Sequence, residues 1–195
     1  MRRAVICSLL LLGIIACGRG EDPSVPVEPT TASSASPTPE PTPCVLEGAS
    51  TKTQAEETTD DVAQVTDVRW DDADGCPRVV FEFQEQVANY EVRYIDEVTD
   101  CGSGEAAPVS EWDAEAFLQV HMTPAGGPDP ASESGEPVYK GPRDVAVDGP
   151  VLKHLTVTCD FEAVFDWVIA LDAEHPFTVV TLQDPPRLVI DISES

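Results

Sequence analysis

The sequence predicts an all-β domain, an antiparallel β-sandwich of about eight short strands, preceded by a disordered Pro-rich tether. Three observations lead there. Short apolar or alternating runs recur from Val65 onward, separated by clusters of Gly, Pro, Asp and Ser. No segment carries a sustained helical stripe. About 130 residues follow the tether, the usual size of one domain with its own core.

The chain opens with Met1-Arg2-Arg3, an apolar run from Ala4 to Ala16, then Cys17-Gly18. The run is too short for a permanent bilayer span and fits the apolar region of a secretory signal. Ile14-Ile15-Ala16-Cys17 resembles the bacterial lipobox, in which the cysteine thiol takes a diacylglyceryl group and the chain is cut before it. Residues 1–16 are therefore expected to be a lipoprotein signal peptide and Cys17 a lipidation site. An ordinary signal peptide or a short membrane anchor is the alternative. Two acyl chains on one residue suffice for stable anchoring, whereas one is marginal. The expected address is the outer face of the cell membrane.

Residues 17–43 form the tether. They contain seven prolines (Pro23, Pro26, Pro29, Pro37, Pro39, Pro41 and Pro43) among Ser, Thr, Ala, Glu and Gly. Such a segment cannot bury enough surface to offset its ordering entropy. In polyproline II it would reach on the order of 80 Å. Residues 44–61 are a polar lead-in without clear period, expected to be ordered mainly through Cys44. The domain proper is expected over 62–195.

Its strands follow in order. Val65–Trp70 is short. Arg78–Phe83 is bounded by Gly75-Cys76-Pro77 and rich in β-branched and aromatic residues. Tyr90–Ile95 puts Tyr90, Val92 and Tyr94 on one face. A short helix would fit within Glu111–Phe117. Phe117–Met122 is the next strand, and 123–150, rich in Pro and Gly, reads as a long surface loop. Val151–Cys159 would place Leu155, Val157 and Cys159 on one face. Glu162–Leu171 opposes Val164, Asp166, Val168 and Ala170 to Phe165, Trp167, Ile169 and Leu171. Phe177–Leu182 and Leu188–Ile192 complete the set. The last is expected inside a sheet, with Leu188, Ile190 and Ile192 inward and Asp191 either satisfied by Arg187 or a backbone donor or lying near the solvated sheet edge.

With Cys7 in the signal and Cys17 lipidated, Cys44, Cys76, Cys101 and Cys159 remain. An even number in an exported chain predicts two disulfides. Of the three possible pairings, Cys44–Cys76 with Cys101–Cys159 is preferred, because the first fastens the lead-in to a strand and the second joins two strand-end loops. No zinc-type spacing occurs, and His121, His154 and His175 are not paired in sequence.

The formal charge is −25. Without residues 1–16 the balance is nine basic against thirty-six acidic residues, or −27. That excludes nucleic acid and direct docking on anionic headgroups. Asp71, Asp72 and Asp74 precede Gly75, but Trp70 stands where a calcium loop needs its first acid. No metal and no cofactor is expected. Catalytic signatures are also lacking. There is no Gly-x-Ser-x-Gly elbow or Ser-x-x-Lys box, and Cys101-Gly102-Ser103-Gly104-Glu105 has the wrong register. With so many acids, a glycosidase-like carboxylate pair carries no signal. Candidate ligand contacts are Trp112, which would stack on a sugar ring, and Arg78 and Arg187, which open two strong strands. The competing role for either arginine is an ion pair with an acid such as Asp184 or Asp191. Trp167 reads as core.

Asp184-Pro185-Pro186-Arg187-Leu188-Val189-Ile190-Asp191 resembles the closing strand of AMIN domains, and Arg78–Phe83 their early strand. The nearer resemblance is to the AMIN-like domain of actinobacterial lipoproteins. It rests on Gly102-Ser103-Gly104-Glu105, Phe117-Leu118-Gln119-Val120, Tyr139-Lys140-Gly141-Pro142 and Asp160-Phe161-Glu162, over roughly 62–193. The resemblance implies a β-sandwich of the cell envelope without catalytic residues. The expected function is a membrane-anchored extracytoplasmic lipoprotein whose non-catalytic domain binds peptidoglycan or an envelope protein. A wall-glycan hydrolase using acidic residues, or a carrier for a small apolar ligand, are the alternatives.

Overall fold

The computed structural model describes residues 46–72, 76–126, 133 and 136–193. Ten strands appear among them: β1 (Gln54–Glu56), β2 (Val65–Asp71), β3 (Arg78–Phe83), β4 (Tyr90–Ile95), β5 (Ala116–Met122), β6 (Asp144–Ala146), β7 (Leu152–Phe161), β8 (Val164–Leu171), β9 (Phe177–Gln183) and β10 (Pro186–Ile192). They make two antiparallel sheets, a six-stranded one in the order β1-β4-β5-β8-β7-β6 and a four-stranded one in the order β2-β3-β10-β9. The expected β-sandwich is present.

Alternation explains the core. Val79, Phe81 and Phe83 of β3 and Leu188, Ile190 and Ile192 of β10 face Val92, Leu118, Val120, Leu155, Phe165, Trp167 and Ile169 of the other sheet, all buried in one cluster. Trp167 packs edge-on against Phe81, Phe165 and Tyr139. β10 is internal, between β3 and β9, as the closing-strand motif required.

Several local expectations are corrected. β1 and β6, three residues each, lack enough sequence to show a period. β1 lies in the polar lead-in, whose order comes from backbone pairing: Gln54–Glu56 pair with β4, and Ser50 bridges Phe177. β6 lies in the stretch read as a surface loop, and Tyr139 from that stretch is buried, its hydroxyl donating to the Pro142 carbonyl at 2.7 Å. Glu162 does not begin β8. Glu162 and Ala163, with φ of 49° and 60°, are the tight turn between β7 and β8. The short helix reduces to a 3-10 turn at Val109–Glu111. Finally, β7 changes register between Val157 and Cys159. Val157 stays opposite inward-facing Trp167 while Cys159 is opposite Asp166, so the bulge turns Cys159 to the outer face.

That turn matters for the connection from β4 to β5. Residues 96–115 cross the outer face of the six-stranded sheet as a strap. Val98 and Trp112 pack with Val168 and Ala170 of β8 in a second apolar cluster, joined by Ile95, Ala107, Val109, Ala114 and Phe117. This is why β8 is buried on both faces. Cys101 and Cys159 are disulfide-bonded, with Cα atoms 5.2 Å apart, and the Cys101 amide donates to the Thr158 carbonyl at 2.9 Å. Cys76 is also disulfide-bonded. Cys44, its expected partner, lies outside the described residues, as do Cys17 and the segments expected to be signal and tether. Among the described residues no helix is long and apolar enough to cross a membrane.

Candidate functional site

The outer face of the six-stranded sheet divides into cross-strand rows. One row runs Ile95, Phe117, Ala170, His154 and lies under the strap. Another runs Ala55, Glu91, His121, Asp166 along β1, β4, β5 and β8, beyond the second apolar cluster. Alternation sets these positions: His121 and Asp166 face outward because Val120, Met122, Phe165 and Trp167 face the core.

The second row is tied into one hydrogen-bonded network. His121 Nδ1 lies 2.7 Å from Asp166 Oδ1, and Gln119 Nε2 donates to Asp166 Oδ2 at 3.2 Å. Arg93 donates from Nη2 to Gln119 Oε1 at 3.2 Å and pairs through Nε with Glu91 Oε1 at 2.9 Å. The Asp166 side chain is 12% exposed and that of His121 34%. Hydrogen bonding to Asp166 raises the imidazole above its ordinary value, with desolvation opposing and the charges of Asp166 and Glu91 reinforcing.

A cleft of about 290 Å³ opens beside this network, lined by Ala55, Glu56, Glu57, Asn89, Tyr90, Glu91, His121 and Thr123. Asn89 Oδ1 accepts from the Thr58 and Thr59 amides at 2.5 and 2.8 Å, which anchors the segment after β1. Tyr90 donates its hydroxyl to Glu56 Oε2 at 3.2 Å, and burial, with Glu56 adding to it, pushes this phenol up to about 12. The Tyr90 ring is therefore neutral at physiological pH.

The residues singled out in sequence lie elsewhere and are not brought together. Arg78 forms a two-point ion pair with Asp191, Nε to Oδ1 at 2.5 Å and Nη2 to Oδ2 at 3.0 Å, on the outer face of the four-stranded sheet. This is the ion-pair role weighed for Arg78, and it replaces Arg187 or a backbone donor as the partner expected for Asp191. Arg187 instead donates to the Pro185 carbonyl at 3.2 Å and has no ion pair among the described residues. Trp112 is 8% exposed and lies in the strap, its ring stacked on His154 at 4.4 Å and edge-on to Phe117. One indole face is thus taken by His154, and a residue this buried offers no open platform for a sugar. Ser103, in the segment compared with a nucleophile elbow, donates backbone and side-chain bonds to Asp100 Oδ1, which hold that carboxyl below its ordinary range. Asp72 Oδ2 accepts the Val151 and Leu152 amides at 2.9 and 2.7 Å, while residues 73–75 of that acidic stretch lie outside the described residues.

Sequence reading missed His121 and Asp166. The signal was there: a carboxylate at an outward position of an otherwise apolar strand, and a histidine at the outward phase of another. What alternation alone did not show is that the two strands are neighbours in register. Among the described residues every side-chain hydrogen bond of a histidine ring goes to an aspartate, and none to a hydroxyl or thiol. No group of three metal-ligating side chains occurs among them either.

The sequence model of one family, the AMIN-like domain, matches residues 63–194. No curated protein and no solved structure matches the chain.

Proposed function

Because the chain belongs to the AMIN-like domain family, a cell-envelope-associated type of domain, we propose that it is a lipid-anchored extracytoplasmic lipoprotein whose non-catalytic domain binds an envelope component, peptidoglycan or an envelope protein. The observation that carries the binding half is the uneven cover of the six-stranded sheet. The strap seals the apolar row, while the Ala55–Glu91–His121–Asp166 row stays beside a cleft with its polar groups pre-ordered by mutual hydrogen bonds. Pre-ordering lowers the entropic cost of recognition. The anchoring half rests on Arg2-Arg3, the apolar run and Cys17, followed by the Pro-rich tether.

Binding is favoured over hydrolysis through acidic residues because two of the cleft carboxylates are already engaged, Glu56 by the Tyr90 hydroxyl and Glu91 by Arg93. It is favoured over apolar-ligand transport because the space between the sheets is occupied by the Phe81, Phe165, Trp167 and Tyr139 rings. Two measurements test the proposal. Fatty-acid labelling should mark the parent chain and not Cys17→Ser; equal label in both ends the lipoprotein reading. The full-length protein in detergent should sediment with purified cell wall, with and without a chelator. If it stays in the supernatant with both wall and extracted envelope proteins, the binding reading fails.

A further inference from the structure

We propose that the cleft beside His121 recognises a secondary amide without negative charge, with His121 as the donor to its carbonyl oxygen and Asp166 as the residue that positions the ring. The inference rests on reading this cleft as the binding site. His121 lines the cleft, and its Nδ1 is committed to Asp166, so Nε2 is the ring atom left for a ligand. Asn89 lines the same cleft with Oδ1 occupied by the Thr58 and Thr59 amides, which leaves its Nδ2 as a second donor. The carboxylates on the wall, Glu56, Glu57 and Glu91, supply acceptors for an amide N–H. Glu91 is paired with Arg93 and Asp166 with the ring, so a carboxylate entering the cleft would meet the charges of Glu56 and Glu57, which have no ion pair among the described residues. Donors and acceptors in one small cleft complement the C=O and N–H of an amide group. Peptide bonds and N-acylated sugars both supply that group.

The arrangement carries a pH signature. With Nδ1–H bonded to Asp166, the neutral ring offers a lone pair at Nε2 and the charged ring offers N–H. The charged groups acting on the ring are Asp166 on β8 and Glu91 and Arg93 on β4, with Gln119 as a neutral neighbour on its own strand β5. Glu56 and Glu57 face it from the β1 side of the cleft. Amide binding is therefore strongest with the ring charged and falls as pH rises through the elevated His121 value.

The test uses the full-length chain in detergent micelles, followed by the ring nitrogen resonances of ¹⁵N-labelled histidine. The probes are an alanine tripeptide blocked at both ends, the same peptide with a free C-terminal carboxylate, and N-acetylglucosamine. The blocked peptide, the sugar or both should shift the His121 Nε2 signal saturably, and the two arms separate peptide from sugar amides. The free-acid peptide should bind roughly tenfold more weakly, and amide affinity should fall roughly tenfold from pH 6 to pH 9, the range for losing one charge-assisted hydrogen bond. His121→Phe should abolish the response with the melting temperature retained, and His121→Gln, which keeps a donor, should restore part of it. Asp166→Asn should move the pH profile to lower pH, because the ring loses the carboxylate that raises it. No Nε2 shift with either amide, or equal binding of the free-acid peptide, overturns the inference. Wall sedimentation of His121→Phe separates the two readings: full binding by this variant overturns the amide site alone. Absent wall and envelope binding by the parent with the Nε2 shifts intact overturns the envelope reading and leaves the amide site standing.

Discussion

Removing the Arg78 guanidinium should destabilise the fold without touching the cleft, and the size of the effect follows from the geometry. The Asp191 side chain is 11% exposed and holds two bonds from Arg78, whose side chain is 53% exposed. Hydrogen bonding to Asp191 also raises the guanidinium further above its ordinary value. Stripping one partner from a fully buried pair costs about 3–5 kcal/mol. Here water reaches the arginine and would reach part of the abandoned carboxylate, so the discounted cost of Arg78→Ala is about 2 kcal/mol. For a domain of this size that corresponds to a drop of about 4–8 °C in melting temperature. The double variant Arg78→Met/Asp191→Leu removes both charges and should recover to within about 1 kcal/mol of the parent. Arg187→Ala should change stability by less than about 0.5 kcal/mol, since it breaks no ion pair. Urea denaturation of the four proteins reads these differences. An Arg78→Ala variant as stable as the parent, or a double variant no better than the single, would refute the argument that Asp191 depends on Arg78.

Three further outcomes follow from particular contacts. Gly149→Ala should cost about 1–3 kcal/mol in denaturant, because a Cβ there would come within 2.0 Å of Asp72 Oδ2, which is held by the Val151 and Leu152 amides. Trp112→Ala should cost about 3 kcal/mol and loosen the strap locally, seen as faster amide exchange over 96–115, while the Cys101–Cys159 bond keeps the strap attached. His121 should make stability pH-dependent in a definite sense. Its folded value is raised above 6.5, so the stabilisation from Asp166 is complete below that pH and disappears as pH rises through the folded value. The melting-temperature gap between parent and His121→Ala should therefore be wider at pH 5 than at pH 9. A gap that widens with pH would reverse the assignment.

Fold class and most of the strands are legible in local pattern. Period-two alternation is a local property, written in runs such as Arg78–Phe83 and Val164–Leu171, and each half-buried strand must display it to separate core from solvent. The closing motif likewise placed Leu188, Ile190 and Ile192 in the core before any partner strand was known. Tertiary structure alone decided the rest, for reasons of range. β1 and β6 are strands because a neighbour supplies hydrogen bonds, not because three residues show a period. The bulge in β7 turns Cys159 outward to meet the strap, and no local pattern reports a bulge. Trp112 is covered by His154 of a strand far along the chain, and Asp191 pairs with Arg78 across the sheet and not with Arg187 earlier on its own strand. The candidate site has the same origin. Glu91, His121 and Asp166 belong to three separated strands, and only the register of β4, β5 and β8 sets them in one row.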